Sequence, residues 1–377
     1  MQKNLSVEAT GESEKPAYAA LAAKIKEFGV NLGFSAVGIT DAAVRRDAGR
    51  RLARWLDRAC HGRMDYMAKN VDLRLFPEKL FPEVRSVVSV RLPYLPASAG
   101  AGECALTHPE VAAVARYAQG RDYHKVVRRR LQSLADAIRR EIGVSGLGAP
   151  FVYRAFSDSA PVMEVEFACR SGIAWRGKHS LSVSREGSWH FLGELYTSLP
   201  LPPDAPAENR CGRCRRCIDA CPTRAIGESG EVDARVCLSY LTIEWRGAIP
   251  IELRRALGNR IYGCDDCQIV CPWNRFAKTG DAAFTAQSEL TGARLVDLFA
   301  WSEADFDARF SGSPIRRIGY ECWLRNVAVA LGNAGDAPEI RAALAARADD
   351  SSPLVREHVR WALDSFSIPF PVRPSLC

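Results

Sequence analysis

CGRCRRCIDACP, residues 211–222, and CDDCQIVCP, residues 264–272, decide how this chain is read. Together with Cys237 they hold eight of its thirteen cysteines. The first block sets Cys211, Cys214, Cys217 and Cys221 in the run C-x2-C-x2-C-x3-C, closed by Pro222, which is the bacterial ferredoxin run. The second sets Cys264, Cys267 and Cys271 before Pro272 and lacks only a leading cysteine, which Cys237 supplies. Two-residue gaps let a tight loop wrap three thiolates around one 4Fe-4S cubane, and the three-residue step turns the fourth toward the neighbouring cluster. The spacing therefore assigns one cluster to Cys211, Cys214, Cys217 and Cys271 and a second to Cys221, Cys237, Cys264 and Cys267. Zinc ribbons use C-x2-C pairs but have no need of the paired C-x3-C-P endings, and disulfides need an oxidising compartment. Cys60, Cys104, Cys169, Cys322 and Cys377 have no partner spacing and read as incidental.

Around this centre, 377 residues suffice for two or three domains with a full core. The polar start MQKNLSVEATGESEKP carries no apolar signal segment, and no window supplies about 18 uninterrupted apolar residues for a membrane span. A cytoplasmic protein without a membrane partner is expected. The net charge of +7 and pI near 8.8 are compatible with a nucleic-acid partner, but many small-molecule enzymes are as basic.

Residues 1–15 read as a disordered tail. Tyr18, Leu21, Ile25 and Phe28 then recur at helical spacing before the Gly-rich FGVNLGFSAVGIT passes into a strand. A helix is expected over 42–58 and a Val-rich strand in RSVVSVRLPY. Val127, Leu131, Leu134, Ile138 and Ile142 form one stripe of a helix opened by Asp122, Tyr123 and His124, and the strand PFVYRAF follows. This alternation implies an α/β layer. In SDSAPVMEVEFACRSG, Pro161 suits a helix's first turn with the Ser/Asp cluster 157–159 before it. SLSVS and SWHFLGELYT, separated by Arg185-Glu186-Gly187, read as a hairpin. The proline-rich LPLPPDAPAENR ends a first domain spanning 16–204, and the cluster domain occupies 205–280. Past 280, NVAVAL and HVRWAL recur at an offset of 32 residues, and helices over 315–333 and 353–366 suit a helical array reaching residue 377.

Clusters pass electrons without naming the bond that changes. A bare electron carrier has no use for the long chain upstream of Cys211, so a catalytic domain with its own cofactor is expected there. No P-loop is present and no G-x-G-x-x-G follows a strand. The cobalamin-ligating pattern D-x-H-x-x-G fails as well: Asp122 and His124 fit, but Val127 stands where glycine is required. Read from its residues alone, the chain is an iron–sulfur oxidoreductase with a second cofactor unspecified.

The segments GRDYHKVVRRRL, SDSAPVMEVEFACRSGIAWRGKHSLSVS, LSYLTIEWRG and YGCDDCQIVCPWN, in this order, resemble the epoxyqueuosine reductases across about residues 20–366. The resemblance implies a cobalamin-binding catalytic domain of α/β class, a ferredoxin-like domain with two 4Fe-4S clusters and C-terminal HEAT-like helical repeats that bind tRNA. It implies reduction of epoxyqueuosine to queuosine at the tRNA wobble position; a monomer is expected. Electrons from an external donor would pass through the clusters to cobalamin. A more distant similarity to reductive dehalogenases offers the alternative of a small-molecule reductase.

By the same resemblance Asp158 is the proton donor; its alternative role is a helix N-cap before Pro161. A donor near its ordinary pKa of about 3.9 would be ionised at neutral pH, so desolvation is expected to raise it. Arg74, Tyr123, Lys178, Ser239, Cys264 and Asp265 match positions near the cofactor. His124 is either a site member or a structural histidine, and cobalt is expected to lack a protein histidine ligand. Arg246 of the WRG segment is implied to meet tRNA, with Arg316, Arg317, Arg325, Arg356 and Arg360 on the C-terminal helices as further phosphate contacts.

Overall fold

In the computed structural model, which describes residues 11–97, 105–148 and 150–367, Tyr18, Leu21 and Ile25 form the buried stripe of helix α1 (Gly11–Asn31). Residues 11–15, expected to be disordered, lie in this helix. The rest of the expected tail falls outside the described residues, as do Cys104 and Cys377.

Next come strand β1 (Ala36–Asp41), helix α2 (Arg46–Asp57) and strand β2 (Ser86–Pro93). Helix α3 (Tyr123–Ser145), strand β3 (Tyr153–Phe156), helix α4 (Glu164–Arg170) and strand β4 (His190–Thr197) complete the layer. The four strands make one sheet in the order β1-β2-β4-β3, and every pairing is antiparallel. Helix–strand alternation thus gives mixed layers around an antiparallel four-stranded sheet, in which the connection from β1 to β2 is broken into short helices rather than one long crossover.

Both sheet faces are covered. Val88, Val90 and Leu92 of β2 and Phe191 and Leu195 of β4 pack against α1 and the Val127–Leu131–Leu134–Ile138 stripe of α3. Gly193 permits this approach, since a Cβ there would stand 2.6 Å from Val127 Cγ1 and 3.0 Å from a Leu131 methyl. The opposite face takes Phe167 and Ala168 of α4 against Val87, Leu192 and Tyr196.

Two local expectations are overturned. SLSVS does not form a hairpin with β4: residues 182–183 pair with 175–176 instead. The reason lies in β4, whose two hydrogen-bonding edges are already taken by β2 and β3. Nor does Pro161 open a helix, since α4 starts only at Glu164. Before it, Asp158 takes a left-handed backbone, φ 57°, so it is not an N-cap.

The cysteine blocks sit on short helices, Arg216–Asp219 and Asp266–Ile269, which pack against each other. Between them run helix α5 (Leu238–Ile243) and helix α6 (Ile251–Leu257). Residues 113–114 pair in parallel with 260–262, and the Asn259 amide donates to the carbonyls of His108 and Val111, at 3.1 and 2.8 Å. These contacts tie the cluster-bearing segment to the sheet layer.

Helix α7 (Gly319–Asn333), helix α8 (Pro338–Ala345) and helix α9 (Pro353–Ser365) form the C-terminal layer. Helix α7 is its centre, with Trp323, Val327 and Leu331 fully enclosed and α9 laid against it through Val355, Val359 and Ala362. Arg325 belongs to this core rather than to a nucleic-acid surface. It is fully buried and donates to the carbonyls of Leu241, Trp245 and Gly247, stitching α7 to the turn after α5. Arg325→Ala leaves those carbonyls without donors. Each such loss costs about 1–3 kcal/mol, so a fall of about 3–5 kcal/mol in unfolding free energy is expected from denaturant titration.

Candidate active site

Asp122 ends the loop before α3 and caps the helix, its carboxylate accepting from the His124 amide at 3.2 Å. This local motif orients the next two side chains. The Tyr123 ring stacks between His124, 4.0 Å away, and Phe191, 4.2 Å away and almost coplanar. Its hydroxyl donates to Asp158 Oδ2. His124 is buried and bridges two carboxylates, with Nδ1 2.7 Å from Asp122 Oδ1 and Nε2 3.1 Å from Asp158 Oδ2. Arg317, from the turn before α7, closes the group with Nη2 3.0 Å from Asp122 Oδ2 and Nη1 3.1 Å from His124 Nε2.

Burial alone lowers the pKa of His124, but its hydrogen bonds to Asp122 and Asp158 prevail and raise it. As imidazolium it donates from both ring nitrogens, which leaves neither for a metal. Burial pulls Asp122 up, and the bonds from His124 and Arg317 carry it down to about 2.

For Asp158 the expected direction is reversed. Desolvation is the largest single influence and raises it, yet the hydrogen bonds from His124 and Tyr123, with the charges of His124 and Arg317, hold its carboxyl below the ordinary range. The side chain is 57 % exposed, so water helps the charged form too. The raised group is a neighbour. Glu164 accepts from the Asp158 amide at 2.5 Å, and burial, with the Asp158 charge beside it, pushes it up to about 8.

Arg74 closes another side. It is buried, its Nε has no hydrogen-bond partner, and it senses the charges of Glu164 and Asp158. Tyr66 stands in the same field and is 48 % exposed. Thus Arg74, Tyr123 and Asp158, distant in the chain, are brought together. Glu164 and Glu194 were missed from sequence. Arg317, expected as a phosphate contact, instead pairs with Asp122, and no local signal exists for that because the two meet across 195 residues of chain.

The eight thiols are free and sort into two groups by mutual electrostatic influence. Cys217 and Cys271 each feel Cys211 and Cys214, and Cys217 also feels Cys271. Cys237 feels Cys221, Cys264 feels Cys237, and Cys267 feels both Cys264 and Cys237. Cys267 also feels Cys217 of the other block, so the two groups lie side by side. Among the described residues no three His, Cys, Asp or Glu side chains converge to hold a single metal ion.

Burial pushes the Cys264, Cys267 and Cys237 thiols up, so taking up a cluster as thiolates releases protons. Backbone amides already point at the sulfurs. Ala225 N lies 3.2 Å from Cys221 Sγ, the Ser239 and Tyr240 amides serve Cys237, and those of Trp273 and Asn274 serve Cys271. Such bonds stabilise cluster thiolates and tune their potential.

Of the remaining expected residues, Ser239 lies in the first turn of α5 beside Cys237. Asp265 Oδ2 accepts from the Arg116 amide at 2.8 Å, and burial raises its carboxyl to about 6. Lys178 donates to the carbonyls of Gly212 and Cys214, at 3.0 and 2.9 Å, and so clasps the first cysteine loop. Arg246 donates to the carbonyls of Ile318 and Arg317, at 2.6 and 3.2 Å. It therefore fixes the turn that presents Arg317 to His124. Arg356 donates to the Asp350 and Ser351 carbonyls, and Arg316 pairs with Asp307.

With this geometry in view, known proteins give the family. Residues 74–159 match the family model described as epoxyqueuosine reductase QueG, and residues 210–274 match the 4Fe-4S double cluster binding domain. The epoxyqueuosine reductase of Pseudomonas aeruginosa is 50% identical over 351 residues, covering 92% of this chain and 95% of that protein. The chain belongs to the epoxyqueuosine reductase family.

Solved structures of the family agree in fold. One, an epoxyqueuosine reductase with an epoxyqueuosine-modified tRNA-Tyr stem loop, superposes with a TM-score of 0.80 at 26% identity, covering 93% of this chain and 91% of that one. The Bacillus subtilis epoxyqueuosine reductase, with its catalytic aspartate loop swung out of the active site, matches equally well, with a TM-score of 0.80, 26% identity and the same coverage. The double-cluster domain gives this family member two iron–sulfur clusters and marks it as an oxidoreductase. Among the described residues no helix is long and apolar enough to cross a membrane.

Proposed function

We infer that this chain reduces epoxyqueuosine to queuosine in tRNA, the last step in making that nucleoside. The observation that carries the reading is a shared fold over 93% of the chain with a reductase holding an epoxyqueuosine-modified tRNA stem loop. The reaction takes two electrons and two protons; both C–O bonds of the epoxide break, an alkene forms and the oxygen leaves as water. Asp158 gives the oxygen its proton as negative charge develops there. Tyr123 and His124 fix the aim of that carboxyl through Oδ2, and Asp122, itself held by Arg317, holds the imidazole.

The family cofactor is cobalamin, and the residues suit it. Arg74 brings a buried cation with an unpartnered Nε, apt for corrin amides or phosphate, and Tyr123 brings a ring face and a hydroxyl. With them Ser239, Cys264 and Asp265 would hold the corrin on the side of the second cluster, and Lys178 has one ammonium proton left beyond its two carbonyl bonds. When bound, cobalamin supplies low-valent cobalt as the reductant of the epoxide.

In this reading residues 16–204 bind cobalamin, 205–280 carry the clusters Cys211/Cys214/Cys217/Cys271 and Cys221/Cys237/Cys264/Cys267, and 281–377 are a HEAT-like tRNA platform. Arg246, exposed at its base, and Arg360 and Arg316 face phosphate. The enzyme works as a cytoplasmic monomer fed by an external electron donor. In cells lacking the protein, mass spectrometry of tRNA nucleosides is expected to show epoxyqueuosine in place of queuosine, restored by the intact gene. Unchanged queuosine refutes the assignment.

A further inference from the structure

Glu194 lies in the middle of β4 on the sheet face that α4 covers, and none of its surface is exposed. Its register partner across the sheet is Ser89, and its carboxyl meets that of Glu164 at the start of α4. Neither Glu194 oxygen makes a hydrogen bond of ordinary geometry, and the Ser89 hydroxyl beside it offsets only part of the cost of burying the charge. A buried carboxylate without a donor or a cation is prohibitively costly. Two neighbouring carboxyls, Glu194 fully enclosed and Glu164 half-buried, settle this in one way: they hold a proton between them, as paired carboxyls in other active sites do.

The pair adjoins the reacting acid, for the outer member accepts the Asp158 amide that fixes the loop's left-handed turn. The proposed reaction consumes two protons, while Asp158 carries at most one, and its hydrogen bonds from His124 and Tyr123 favour the ionised form. Resting on the reductase reading, we propose that Glu164 and Glu194 are positioning acids that share one proton, hold the Asp158 loop over the site and return a proton to Asp158 during each turnover.

The balance is simple. Asp158 loses a proton to the epoxide oxygen; the pair passes its proton to the Asp158 carboxylate, which delivers it as the oxygen leaves in water; Asp158 and the pair then each regain one from solvent, two protons in for the two consumed. The two electrons come from the iron–sulfur route of the proposed function, and nothing else is oxidised.

The groups that face the pair do not obscure its titration. Arg74 remains a cation at working pH, and burial drives Tyr66, Tyr123 and Tyr196 far above their ordinary range, so they stay neutral. His124 and Asp158 remain, and His124 is raised by its two carboxylates. Burial puts Glu164 at about 8. Its proton is therefore present below that pH and lost as pH rises through it.

The test has one readout that needs no substrate and one that does. Infrared spectra of the purified chain at neutral pH, with and without carboxyl-13C glutamate, are expected to show a protonated carboxylic acid band. The label shifts it, and Glu194→Gln removes it. Single turnovers on an epoxyqueuosine-bearing stem loop, with a reduced viologen as donor, should decline as pH passes about 8. In Glu194→Gln the amide donates to Glu164, and the decline moves down by a pH unit or more; in Glu164→Gln it disappears at a rate lowered at least tenfold. A merely structural role lowers the rate equally at every pH. Absence of the band in the wild type overturns the proposal even if a variant fails to fold, as do superimposable scaled profiles or a decline that follows His124→Asn instead. No turnover by the wild type with the band intact refutes the substrate reading and leaves the shared proton standing.

Discussion

Asp158→Asn is expected to reduce turnover by about 100- to 10,000-fold, the range that general acid catalysis contributes, while both clusters and tRNA binding are retained. Asparagine suits the position structurally. It tolerates the left-handed φ of 57° better than any residue save glycine, and its amide oxygen still accepts from Tyr123 and His124. What it cannot do is carry a proton to a developing oxyanion. The loss therefore belongs to chemistry rather than to folding. Nucleoside mass spectrometry of reacted tRNA reads the rate, iron content and cluster absorbance read the cofactors, and a filter-binding isotherm reads the RNA. Turnover within about threefold of the wild type would make Asp158 structural, since the smallest contribution of a general acid exceeds that margin.

That variant also probes what the sequence could and could not convey. The cysteine runs were legible because the ligand geometry of a cubane is written in spacings of two and three residues. The α3 stripe of Val127, Leu131, Leu134, Ile138 and Ile142 was legible because burial follows helical period. Asp122, two residues before His124, carried its local role as a cap.

Features made by distant chain segments left no such trace. Nothing near Glu164 says that its carboxyl faces Glu194 across 30 residues of chain, so the group with the raised pKa was assigned to Asp158, whose direction proved opposite. Likewise, SLSVS has the composition of a hairpin strand, and only the occupied edges of β4 exclude it. Arg325 was read by residue type as a surface cation. Its neighbours Asn326 to Leu331, all buried, were the hint that its face of α7 turns inward.

Crossed ligation makes the second large prediction, because it ties cysteines far apart in sequence to the same iron. Cys271→Ala should remove the cluster held with Cys211, Cys214 and Cys217, lowering bound iron from about eight atoms to about four, and turnover with an external donor should fall below detection. Cys264→Ala should remove the other cluster to the same extent. The double variants discriminate. Cys211→Ala with Cys271→Ala should lose no more iron than either alone, since both strike one cluster. Cys211→Ala with Cys264→Ala should lose nearly all of it. Uncrossed ligation, with Cys211, Cys214, Cys217 and Cys221 on one cluster and Cys237, Cys264, Cys267 and Cys271 on the other, predicts instead that Cys211 with Cys271 empties both sites. The crossed result is the expected one, since the three-residue step turns each block's last thiolate toward the neighbouring cluster, and Cys271 lies near enough to Cys211 and Cys214, and Cys237 to Cys221, to be influenced by them. Both arrangements lose the same iron in any single variant, so only the pairs separate them. Crossing has a physical consequence of its own: each three-residue step plants one block's last thiolate in the other block's cluster, so neither cluster can leave without loosening the loop that holds its neighbour.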